Sequence, residues 1–364
     1  VVRGIDANNL EINSLTEGAS DAGNVSLLSE KSSIVITGDS NIIASTTAAG
    51  NAGSIILSAL REDGSETVSG ITLTGTDASA LVTIASQSEG AGQAGTVSLS
   101  GDTIATNNAK VSTATQSSAG GNSTIRLTAN TGGITLTNTA VTGTTKGEDG
   151  AGNIFVSALN GLVSFLTGSQ VSSESGSETA SATGSAGNID IQSKGFTLDD
   201  ALVSVKTNST AANTKAGISI DANNEAVLLN NAKTTTGNEK GMLASTSGAT
   251  SAGDIEIKNA ASLTTTGVSV VSRSEGRSSN SGAAGSVSLS GTTLSLTDAD
   301  ISTETASTNT ANSLASIALN STNSISVNES DIKASYNYKK IPAGSVEAAF
   351  DKVIPVGNDP DAKL

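Results

Sequence analysis

Acid–base chemistry on a glycosidic bond needs carboxylates gathered on one face, with a basic side chain beside them and aromatic rings as sugar platforms. The candidates are Asp190, set between Ile189 and Ile191, Glu256, set between Ile255 and Ile257, and Arg126, set between Ile125 and Leu127. Each occupies the polar position of an alternating strand. Asp190 and Glu256 belong to units separated by one more, Arg126 lies further off, and the chain has no His and no Trp. The three therefore read as solvated charges. Serine is abundant, but a serine nucleophile needs a base to activate it, and none is recognisable.

Oxygen-rich side chains offer a second chemistry. Asp39, Asp77, Asn108, Asn138, Asp199, Asn231 and Asp298 recur between strands and invite a calcium reading. Asn and Asp are also the residues that tolerate left-handed turns and bond local backbone. The Gly-Gly-x-Gly-x-Asp nonapeptides of calcium-binding rolls are absent. Asp298 and Asp300 are left as weak cation contacts. A flat, threonine-rich strand such as Ser302-Thr303-Glu304-Thr305 would suit ice, but Lys206, Arg273 and Glu304 interrupt the pattern. The expectation is no catalytic residue, no metal and no cofactor.

Composition narrows the classes further. Aromatic residues make up 2% of the 364, Cys is absent, and Gly, Ser, Thr, Ala and Asn dominate. A conventional globular core is not expected, yet Ile, Leu and Val alternate regularly, which argues for order built from thin strands. The net charge of −15 disfavours nucleic acid, and no apolar run reaches the length that spans a bilayer.

Those strands belong to a repeat. A small-residue corner followed by an apolar pair at i and i+2 returns at Gly23, Gly53, Gly95, Ser123, Gly152, Gly187, Ala216, Gly253, Gly285, Ala315 and Gly344, at spacings of about 28 to 42 residues. Within a unit, Ile55/Leu57 is followed by a second alternating strand at Ile71 and a third at Leu81–Ile84, and a variable Ser/Gly/Thr stretch leads to the next corner. The pattern predicts an all-β, right-handed parallel β-helix, a β-solenoid of about eleven rungs of three short strands. Residues 1–335 form the solenoid and 336–364 a tail that adds a further strand, a cap or a joint.

The units Gly50-Asn51-Ala52-Gly53-Ser54-Ile55 and Gly282-Ala283-Ala284-Gly285-Ser286-Val287, with third-strand segments at Ile301 and Val111, resemble the repeats of filamentous-haemagglutinin-like exoproteins. The likeness runs from Asp21 to about Phe350. It implies a right-handed β-helix used for adhesion or surface structure outside the cell. The chain departs from the family's secreted members in one respect. Their two-partner secretion domain carries Asn-Pro-Asn-Gly, and the prolines here, Pro342, Pro355 and Pro360, stand in no such setting.

The ends suggest how such an object is used. Leu10 and Ile12 match a second strand with no first strand before it, and Val346 restores a first strand after the last corner. Tyr336, Tyr338 and Phe350 crowd into the tail, where an interface would profit from aromatic area. Leu10, Ile12, Tyr336, Tyr338, Val346 and Phe350 are thus the expected polymerisation interface. Lys339, Lys340 and Lys352 would face Asp6, Glu11, Glu17 and Asp21 across it. The expected function is a secreted, non-enzymatic structural subunit of a cell-surface filament or matrix, whose partner is itself, head to tail. The alternative is the shaft of an adhesin that binds surface glycans through Ser/Thr-rich loops, with a polysaccharide-degrading β-helix more remote.

Overall fold

The computed structural model describes residues 4–59, 68–116, 123–146, 150–176, 184–208, 215–235, 238–276, 281–306, 315–336 and 346–349, with 336 and 346–349 as backbone alone. These residues form 25 strands and no helix. Every pairing between strands is parallel, so the chain coils upon itself as a β-solenoid with three faces.

Apolar alternation sets what turns inward. On the first face Ile55 and Leu57 are fully buried while Ile56 and Ser58 between and beside them point out. On the second face Ile71 and Leu73 do the same, and on the third Val82 and Ile84. Stacking then places like on like. The first-face column Val25, Ile55, Val97, Ile125, Ile154, Ile189, Ile218, Ile255, Val287 and Ile317 rises in nine steps. Each such side chain contributes about 2 kcal/mol once covered, and only the coils above and below can cover it. The result is one continuous aliphatic core, in which Phe165 and Phe196 of successive coils meet edge to face at 5.4 Å.

The stack makes about nine turns, slightly fewer than the eleven expected. The difference lies at the ends. Ile5–Asn8 and Glu11–Thr16 occupy the second and third faces with no first-face strand before them, and Val346–Ala349 is a lone first-face strand beside Ile317–Asn328. The separation into three short strands also gives way towards the C-terminal side. There Ile255–Ser274 and Val287–Thr305 run through two corners without leaving the ladder.

Each corner has its own chemistry. Between the second and third faces a residue turns left-handed in every coil but the one between Thr74 and Val82: Asn9, Asn108, Asn138, Asp200, Asn231, Asp298 and Glu329, with Gly38, Gly168 and Gly267 in the same role and Gly241 as a second one after Asn231. This agrees with the turn reading at Asn108, Asn138, Asn231 and Asp298. At two other positions the neighbour takes the conformation instead, Gly38 for Asp39 and Asp200 for Asp199. Asp77 caps a tight turn, its carboxylate accepting from the Ser79 amide at 2.7 Å and hydroxyl at 2.6 Å.

Between the third and first faces the coils approach so closely that a side chain has no room. A Cβ on Gly53 would lie 2.0 Å from the Gly23 carbonyl oxygen, and one on Gly285 2.2 Å from that of Gly253. Buried hydroxyls hold this corner. Ser86 Oγ accepts the Gly95 N–H at 2.7 Å, Ser173 that of Gly187 at 2.7 Å, and Ser272 that of Gly285 at 2.8 Å. Each donates in turn to the glycine carbonyl one coil earlier, Gly53, Gly152 or Gly253. The segment Ser302–Thr305 obeys the same rule. Ser302, Thr303 and Thr305 are buried, so this strand is not the flat outward threonine surface that an ice reading would require.

Candidate functional site

A solenoid interior is filled, so chemistry can reside only on the outer faces, at the corners or at the open edges of the stack. At the first edge, among the described residues, Ile5–Asn8 pairs only with Ile34–Thr37, and Glu11–Thr16 only with Ser40–Thr46. Ile12 stands beside Ile42 on the third face, which corrects its expected place on the second. The second-face strand is Ile5–Asn8, beginning seven residues earlier than Ile12. Leu10 enters that third-face strand with its N–H donated to Ser40 Oγ at 2.9 Å. Both side chains are half-buried against the core, as is Ile5.

At the opposite edge Tyr336 ends the third-face strand Asp331–Tyr336, its backbone beside Thr305. Val346 lies beside Ile317 on the first face. Tyr338, Phe350, Lys339, Lys340 and Lys352 fall outside the described residues. The expected interface residues are therefore divided between the two edges of one molecule. The first described strand lies on the second face, and the last on the first.

The carboxylate candidates fall in one outward column at the separation that their spacing suggested. Arg126, Phe155 and Asp190 occupy one outward column on three successive coils, and Ser219 then separates Asp190 from Glu256. The Arg126 guanidinium sits 4.5 Å from the centre of the Phe155 ring, a cation–π contact. Partial burial raises the Asp190 carboxyl above its ordinary value, with Lys258 acting against it. Glu256 is held by Lys258 at 3.2 Å.

A second charged region spans the third face near the later coils. Asp300 is raised by burial and by Asp331 and Glu304, against Lys233 and Lys333. An insertion between the second and third faces crosses this region, closed by a bridge between Thr235 and Asn238. Lys240 pairs with Asp200 of the preceding coil, Glu239 with Arg273 of the next at 2.6 Å, and Lys233 with Asp298 two coils on at 2.5 Å. The insertion is a strap across four coils. Among the described residues no three His, Cys, Asp or Glu side chains are grouped to hold a metal ion, and no helix is long and apolar enough to cross a membrane.

Sequence reasoning missed the inward hydroxyl ladder and the strap. The signal for the first was a Ser or Thr two residues after the last inward aliphatic of the third strand, as in Ile84-Ala85-Ser86 and Val171-Ser172-Ser173. Compared with protein-family models, with curated proteins and with solved structures, the chain matches none.

Proposed function

We propose that the chain is a structural subunit of an extracellular or cell-surface filament or matrix, and that its coils extend by stacking a second copy end to end. The observation that carries this reading is the pair of open ladder edges. Among the described residues, strands of the second and third faces have a partner on one side only at one edge, and at the other the strand Val346–Ala349 does too. A copy laid in phase would continue the column, with Ile5 beside Ile325 and Ile12 beside Ile332. Unpaired strand edges favour such addition, and contacts that repeat head to tail produce filaments where they do not close. The likeness of the corner motifs to surface exoproteins supports the location.

Negative-stain microscopy of the full chain tests the reading directly. Filaments with an axial repeat of about 50 Å are the expected result. Deleting 341–364 should leave folded rods that no longer elongate. Isolated rods at every concentration, or filaments of unchanged repeat after the deletion, would overturn it and leave the adhesin shaft, with glycan binding through the corner loops, as the reading to pursue.

A further inference from the structure

The three outer faces differ in charge. The first carries Arg126, Asp190, Asp221, Glu256 and Lys258, and the third carries Lys110, Glu174, Lys206, Arg273 and Glu304. The second face presents two outward side chains per coil, from Val35 and Thr37 to Ser326 and Asn328. Along that length Asp199 alone is charged, and Asp6, beside Val35 on the opening strand Ile5–Asn8, adds one more at the edge of the stack. Asp199 stands at the rim, beside the corner, where its carboxylate accepts from Asn231 at 2.9 Å.

The rest of the surface is threonine, serine and asparagine, with Val35, Ala105, Leu166 and Leu228 set among them. Leu228 is 39% exposed. The register shifts in these pairings fall before the second face is reached, between Asp221 and Ala226, Ile257 and Ala260, and Gly291 and Thr293. Rows such as Thr72, Thr135, Thr197 and Thr264 therefore keep their spacing along the axis.

We infer that the second face is a lateral interface between two copies of the chain, packed side by side with their nearly uncharged faces together. Electrostatics favours this face first. Rods of net charge −15 repel, and a buried unpaired charge is costly, so the face that two copies can desolvate at least cost is the one with the fewest charges. Area agrees. Nine steps of about 4.8 Å by about 13 Å of strand give roughly 600 Å² per copy, or about 1,200 Å² buried in total, the lower end of stable interfaces. Leu166 and Leu228 supply apolar anchors within a hydroxyl-rich surround. This pairing does not depend on whether rods also join end to end.

The test is sedimentation equilibrium with negative-stain measurement of rod width, on the full chain and on two doubly substituted variants. One carries Thr135→Lys and Thr264→Lys on the second face; the other carries Ser98→Lys and Ser288→Lys on the first. Both gain the same charge, and circular dichroism checks that both keep the fold. The expected result is a dimer of doubled width that tightens as salt screens the net repulsion. The second-face substitutions should weaken it about tenfold or more and the first-face pair should leave it unchanged.

Single-width rods at every salt and concentration would overturn the inference, as would equal effects of the two variants. So would a monomer that pellets with insoluble cellulose or chitin and loses that binding with the second-face lysines, since the face would then fit a flat polysaccharide. Widened rods that do not elongate would support the lateral pairing and sink the end-to-end reading. Single-width filaments would do the reverse.

Discussion

The hydroxyl of Ser86 donates to the carbonyl of Gly53 across 2.9 Å, tying the third face of one coil to the corner at which that coil began. The same oxygen receives the Gly95 N–H, so one small side chain satisfies two buried backbone groups. Ser86→Ala should therefore cost about 1–3 kcal/mol, since both partners stay buried without a replacement. Chemical denaturation measures it. A loss below a few tenths would mean that water replaces the hydroxyl.

Close approach at the same corner makes a sharper contrast. Gly53→Ala would press a Cβ against a backbone oxygen that cannot move without unstacking its coil, whereas Gly18 has nothing near its Cβ position. Gly53→Ala should lower stability by about 2 kcal/mol or more and Gly18→Ala by less than about 0.5. Similar melting temperatures for the two variants would show that the coils are looser at this corner than their spacing implies.

Strand register has its own test in two adjacent residues. Ile255 is fully buried and Glu256 faces out, half-exposed and paired with Lys258. Ile255→Asp should cost several kcal/mol or prevent folding, while Glu256→Ser should stay near neutral, because an exposed ion pair contributes little. Equal losses would place both side chains on the wrong faces.

Asp300 sets an expectation for pH. Its carboxyl is raised above 3.8 by burial and by its acidic neighbours Asp331 and Glu304, with Lys233 and Lys333 opposing. Between 3.8 and the raised value the folded chain binds more protons at this site than the unfolded chain. Its favourable contribution is thus complete below 3.8 and is lost as pH rises through the raised value. Asp300→Asn should raise the melting temperature at pH 7 and lose that advantage near pH 3. An equal gain at both pH values would show that the cause is not ionisation.

How much of this is legible in the sequence follows from which signals are local. Pairs such as Ile189/Ile191 declare an inward face within three residues, and Ala-Gly before them declares the corner, so the solenoid and most of its register could be read directly. The opening strand misled because Ile5-Asp6-Ala7-Asn8 has only one large apolar side chain, and Leu10/Ile12 offered a stronger pair. The inward hydroxyls could not be told from outward ones, since the partners of Ser86 lie 33 residues before it and 9 after. Glu329 in a left-handed conformation contradicts its own preference, and only its place beside Asp298 in the stack accounts for it. The candidate interface was legible as an open phase at two ends, but the nearly uncharged second face emerges only when alternate residues from ten coils are aligned.

The corner between the third and first faces also has a direction. Asp21 accepts the amide of Asn51, Asn51 that of Gln93, Asn153 that of Asn188, Asn188 that of Gly217, and Asp254 that of Ser286. In every case the side-chain oxygen belongs to the earlier coil and the amide to the later one. A coil thus offers these Asp and Asn oxygens to the segment that follows it in the chain, while Thr115, Thr207 and Thr305 accept the amides of Ala94, Ala186 and Ala284, 21 residues before each. The Asp and Asn bonds give this corner a polarity along the stack, with side-chain oxygens turned towards one end of the column and backbone amides towards the other.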